Sequence, residues 1–165
     1  MFDNCLIPFR TWRTRRQLTQ LDCTNMRAWS WKNYKTLARI VSIYDGDTMT
    51  IVFPYKHGNE KFMTVNIRIL GIDTPEMKPR GKSEEETTDE KKRAVAARDR
   101  LCKLVGFQIQ QSQSQRPAFV NIELVKPDKY GTRVLGHVYN MQGENVSEVL
   151  IKEGLGIPYD GGKKL

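Results

Sequence analysis

Nine residues, Phe62 to Leu70, set the tightest limit on what this chain can fold into. Met63, Val65, Ile67 and Ile69 fall on one side of a period-two repeat, and Phe62, Thr64, Asn66, Arg68 and Leu70 on the other. Such sorting belongs to an extended strand with one face against a core. Two strand-like runs precede it, Ala38 to Tyr44 and Thr48 to Phe53, joined by the turn signal Asp45-Gly46-Asp47. Pro54 to Lys61, with Gly58 and Asn59, reads as a second hairpin connection. Three sequential antiparallel strands joined this closely predict a curled meander.

Beyond the meander, Asp73 to Lys82 is polar and proline-containing, hence a loop. Thr87-Thr88-Asp89-Glu90 matches a capping box, and Ala94, Ala97, Leu101, Leu104 and Val105 follow at helical spacing. The pattern predicts a helix over 88–105, ended before Gly106, with Asp99 and Lys103 paired on its outer side. Ala118 to Val125 and Val134 to Tyr139 read as strands either side of a Pro127–Gly131 turn. Asn145 caps a short helix that stops at Gly154, and the tail from Pro158 reads as a turn or a frayed end. The order predicts a mainly β fold with α elements: a small five-stranded, partly open barrel, with a long helix after strand three and a short one after strand five.

Composition narrows the class. The chain has 165 residues, enough for one domain with a real core, and 27 basic against 19 acidic residues give a net charge of +8. That surface favours a polyanionic partner. No run approaches the 18 or so apolar residues of a spanning helix, so no membrane partner is expected. The two histidines, His57 and His137, are far apart and no CxxC occurs, which argues against zinc. Cys5, Cys23 and Cys102 leave at least one thiol unpaired, and the N-terminus lacks a secretory signal, so an intracellular, reducing location is expected. Residues 1–36 form a basic arm that holds Trp12, Trp29 and Trp31. A disordered tail rarely carries so many aromatic groups, so the arm is expected to pack on the 37–165 domain.

The candidates for chemistry are acids and arginines at strand ends: Asp45 and Asp47 in the first turn, Arg68 late in strand three, Asp73 and Glu76 beyond it, and Arg133 before strand five. Hard cations want carboxylate and carbonyl oxygens; phosphoryl chemistry wants arginine and a base near the attacking water. Each motif also has a plain structural reading. Asp-Gly-Asp is a common hairpin turn and Asp-Thr-Pro-Glu an ordinary Asx-type one. Arg68 is harder to set aside, because an arginine in mid-sheet needs solvent or an anion.

Three segments taken together resemble the signature of the staphylococcal (thermonuclease-like) nuclease family. They are Asp45-Gly46-Asp47-Thr48, the run Asn66 to Glu76 that ends Asp73-Thr74-Pro75-Glu76, and the run Asp128 to Leu135. The resemblance spans roughly Leu37 to Tyr159. It implies a staphylococcal nuclease-like barrel of the OB type and a calcium-dependent phosphodiesterase that cuts DNA and RNA with little sequence preference, leaving 3′-phosphate ends. By motif position it implies Asp47, Asp73 and the Thr74 carbonyl as ligands of Ca2+, Glu76 as general base, and Arg68 and Arg133 on the scissile phosphate. Lys129 and Tyr130 resemble contacts to a neighbouring phosphate, and Tyr159 resembles an aromatic residue after the second family helix. Thr132 is an extra residue between Gly131 and Arg133, where the family commonly places the arginine directly after the glycine. The ending Tyr159 to Lys163 resembles tails of viral and eukaryotic members. A monomer is expected. The readings from other classes are an OB-type barrel that binds nucleic acid without cutting it, and a protein-interaction domain.

Overall fold

The computed structural model describes residues 34–57, 60–79, 83–109, 117–128 and 133–159. The arm up to residue 33 lies outside the described residues. Five strands close into a barrel: β1 (Tyr34–Ile43), β2 (Thr48–His57), β3 (Glu60–Ile69), β5 (Phe119–Pro127) and β6 (Val134–Tyr139), in the order β1-β2-β3-β6-β5, with β5 returning to β1. Every pairing is antiparallel except β3 with β6. Closure gives every barrel strand a neighbour on both sides, with β3 meeting β6 only over Ile67–Ile69. This is the five-stranded OB-type barrel that the strand order predicts, with α1 (Glu84–Leu104) after β3 and α2 (Val146–Lys152) after the last barrel strand.

Strict alternation builds the core. Ala38 and Ile40 of β1, Met49, Ile51 and Phe53 of β2, Ile67 and Ile69 of β3, Val120, Ile122 and Leu124 of β5, and Val134 and Val138 of β6 all point inward and are buried. Each large apolar side chain buried this way contributes about 1.5–3 kcal/mol relative to exposure. Five strands enclose little room. A Cβ on Gly136 would lie 2.8 Å from the Glu123 carbonyl oxygen and 2.9 Å from Ile67 Cδ1, so a glycine is needed where β6 crosses the interior.

The elements differ from the sequence pattern at their ends. β1 begins at Tyr34 rather than Ala38, and the connection expected over Pro54 to Lys61 is mostly strand, since β2 runs to His57 and β3 starts at Glu60. Pro54 is tolerated because the ladder shifts register between Pro54 and His57. Its carbonyl accepts the Tyr34 hydroxyl at 2.7 Å. The long helix starts at Glu84, not Thr88. Ser83-x-x-Glu86, the earlier of two matching boxes, is the true cap, and Glu84, Glu85 and Glu86 complement the helix dipole. On its outer side Asp99 pairs with Arg98 at 2.8 Å instead of with Lys103. α2 starts after Asn145 as the sequence predicts.

Two strands escaped the sequence pattern. β4 (Gly71–Asp73) and β7 (Ile157–Tyr159) pair antiparallel, Gly71 with Tyr159 and Asp73 with Ile157. The stretch read as a frayed end from Pro158 is therefore tied down at least as far as Tyr159. Three-residue strands are too short to show a period, and Pro158 argues against one. Their pairing matters because it fixes Asp73 and carries Tyr159 to it. Among the described residues no helix is long and apolar enough to cross a membrane.

Candidate active site

The turn between β1 and β2 is the first part of the site. Tyr44 N–H donates to the Thr48 carbonyl at 3.0 Å, and Asp47 N–H to Asp45 Oδ1 at 3.1 Å, an Asx-type closure. A Cβ on Gly46 would sit 2.8 Å from both Ala97 Cβ and Thr74 Cγ2. Only glycine lets this turn press against α1 and the segment after β4. The pressure buries Asp45 and Asp47, which a plain hairpin turn would leave in water.

Asp47 is used on every side. Its backbone carbonyl accepts Ile69 N–H at 2.7 Å, its Oδ1 accepts the Thr48 hydroxyl at 3.0 Å, and its Oδ2 accepts Thr74 N–H at 3.3 Å. The same Oδ2 lies 3.2 Å from Arg68 Nη2, which also reaches Asp73 Oδ1 at 2.8 Å. Arg68 stands opposite Thr48 in the β2–β3 ladder, one residue past Asp47, and Nη1 donates to the Ile72 carbonyl at 3.1 Å. Its side chain is 15% exposed, so the anion that a mid-sheet arginine needs is this pair of carboxylates rather than solvent. Two oxygens bonded to one nitrogen are necessarily close to each other. Residues 26 positions apart in the chain thus converge on a single point.

The ring of Tyr159 packs against the arginine, with its centroid 5.3 Å from Arg68 Cζ, a cation–π contact made possible by the β4–β7 pairing. Burial, followed by the charge of Asp47, pushes the Asp45 carboxyl up to about 7, well above the ordinary range for an aspartate. Asp45 therefore holds its proton to a far higher pH than an exposed aspartate does.

Glu76 follows three residues after Asp73, with an exposed side chain and its backbone N–H donated to Glu90 Oε1 at 3.3 Å. Glu90 is 8% exposed. Arg133 is not joined to the cluster by an ion pair: its Nε donates to Asp128 Oδ2 at 3.1 Å, and its carbonyl accepts Asp128 N–H at 2.8 Å. It precedes Val134, which pairs with Ile67, so it flanks the strand that carries Arg68. The expected contacts Lys129 and Tyr130 lie outside the described residues. Glu90 and Asp128 were not singled out by the sequence, which made one half a cap and the other part of a turn.

The donor chemistry suits a hard cation. Asp47 and Asp73 offer carboxylate oxygens, and Thr74 has a buried hydroxyl with no hydrogen-bond partner. Among the described residues no group of three or more His, Cys, Asp or Glu side chains is arranged to hold a metal, so water or substrate oxygens would complete the shell.

No curated protein matches the chain. The staphylococcal nuclease homologue family model matches residues 66–163, from the middle of β3 to beyond β7. That span takes in Arg68, Asp73, Glu76 and Arg133, and the structure has the five-stranded OB-type barrel that the resemblance implied; the chain belongs to the staphylococcal nuclease homologue family.

Proposed function

We propose that this protein is a calcium-dependent phosphodiesterase that hydrolyses DNA and RNA with low sequence preference, acts as a monomer and leaves 3′-phosphate ends. The observation that carries this reading is the convergence of Asp47 and Asp73 on Arg68. Asp47, Asp73 and the Thr74 carbonyl would hold the ion, and calcium, when bound, supplies positive charge to the phosphate oxygens.

The chain's own groups do the rest. Glu76, exposed and three residues beyond Asp73, accepts a proton from the attacking water. The water oxygen bonds to phosphorus, the bond from phosphorus to the 5′-oxygen breaks, and that oxygen takes up a proton from solvent water as it leaves, while Glu76 returns its own proton to solvent. Arg68 and Arg133 hold the non-bridging oxygens as charge builds on them. Lys129 and Tyr130 act on the neighbouring phosphate, and Tyr159, whose ring packs against Arg68, contacts the substrate beside it. Contacts confined to the sugar–phosphate backbone carry no sequence information, which accounts for low specificity.

A barrel that grips nucleic acid without cutting it is supported by the net charge of +8, which suits a polyanionic partner whether or not it is cut. Single-stranded DNA incubated with the protein in calcium and in chelator separates the two readings. Shortening in calcium alone supports the enzyme; binding with no shortening supports the binder.

A further inference from the structure

The segment that carries Glu76 has few backbone groups with which to hold itself. Pro75 and Pro79 have no N–H, and the amides of Thr74 and Glu76 are given to carboxylates, those of Asp47 and Glu90. Glu90 is an unusual acceptor. It sits inside α1, two turns from the cap, where the exposed face already carries the helix's charged residues. Nothing about helix formation asks for a carboxylate at a buried position, and burying one costs several kcal/mol unless it is hydrogen-bonded.

Glu90 shares the buried face of α1 with Ala94, Ala97 and Leu101. Ala97, seven residues on, is the residue that Gly46 presses against. One helical face thus supports both halves of the site, the Asp47 turn through a small apolar contact and the Glu76 segment through a carboxylate. Glu90 also lines, with Asp73, Thr74 and Pro75, a cleft of about 350 Å³ between α1 and residues 154–157.

We infer that Glu90 is a positioning residue for catalysis: by accepting the Glu76 N–H it fixes the place of the general base, an inference that rests on the nuclease reading. It touches neither water nor phosphate in this role. A buried charged acceptor holds an amide more firmly than a neutral one, so the effect grades with the acceptor strength of the side chain. Misplacing a base by about an ångström costs as much as two orders of magnitude in rate.

The test is a double-mutant cycle read by turnover of single-stranded DNA in calcium, with amide exchange at Glu76 as a second readout. Glu90→Met removes the acceptor at similar size. It is expected to lower kcat about 10- to 100-fold with KM within about twofold, and to speed exchange of the Glu76 amide. Glu90→Gln, a neutral acceptor, is expected to lose only a few-fold. In the Glu76→Gln background the same changes at Glu90 should cost nothing further, because there is no base left to place. Equal losses in both backgrounds, or an unchanged Glu76 amide, overturn the inference and leave the nuclease reading standing. If Glu90→Met does not fold, Glu90→Gln decides by the same comparison. A wild-type protein that cuts nothing in calcium overturns the nuclease reading itself, before any variant is made.

Discussion

At the scale of single residues, Arg68 does two jobs that pull against each other. It neutralises Asp47 and Asp73, and it is the arginine proposed to reach the phosphate. Arg68→Ala leaves the buried Asp47 and the partly buried Asp73 without their cation, and in chelator it should destabilise the protein by about 3–5 kcal/mol, measured by denaturant unfolding. Calcium should restore part of that loss, since it supplies charge to the same oxygens. Glu76 is exposed, and a glutamine there keeps its size and polarity. Glu76→Gln should melt within a few degrees of the wild type and yet lose about 100-fold or more in kcat, the range of a lost general base. Asp45 gives the pH dependence. Its folded carboxyl titrates near 7 while an unfolded one titrates near 3.8, so the folded state holds a proton that the unfolded chain has lost. The stability this adds is fully present below about 3.8 and is lost as pH rises through about 7. Asp45→Asn, which keeps an oxygen to accept the Asp47 amide, should remove that fall. In chelator at pH 7.5 it should be more stable than the wild type by on the order of a few kcal/mol, with the difference vanishing in acid.

Among the elements, the contact between the β1–β2 turn and α1 is the joint on which the site depends. Gly46→Ala forces a methyl into Ala97 and Thr74, and overpacking of this kind costs about 1–3 kcal/mol. Because the displaced residue adjoins Asp47, activity should fall more than the melting temperature alone implies; unfolding and initial-rate assays on the same preparation check both. The barrel strands were readable because each alternates cleanly, as β3 does with Ile67 and Ile69 inward and Arg68 outward. Their ends were not, since Tyr34 is held by its pairing with Leu124 and Pro54 by its pairing with Phe62 ahead of a register shift, long-range partners that no local window contains. The start of α1 was misplaced for a different reason. Ser83-x-x-Glu86 and Thr87-x-x-Glu90 are equally good boxes on paper, and three-dimensional context chose the first, turning Glu90 inward.

For the whole molecule, a closed barrel with one parallel pair explains why a site can be assembled from distant pieces. Thr48 pairs with Arg68, and β4 leads on from β3, so Asp47 and Asp73 meet at one rim. The meeting of those residues could be read from strand order and the three signature segments together. The pairing of Arg133 with Asp128 could not, because it joins residues five positions apart that share no helix or strand period. A structure of the protein with calcium and a nucleoside 3′,5′-bisphosphate is the most direct test of how these groups work together. One ion should be ligated by Asp47 and Asp73, with a phosphate between that ion and Arg68; an ion bound elsewhere, or a phosphate that leaves the Arg68 ion pairs untouched, would contradict the proposed site.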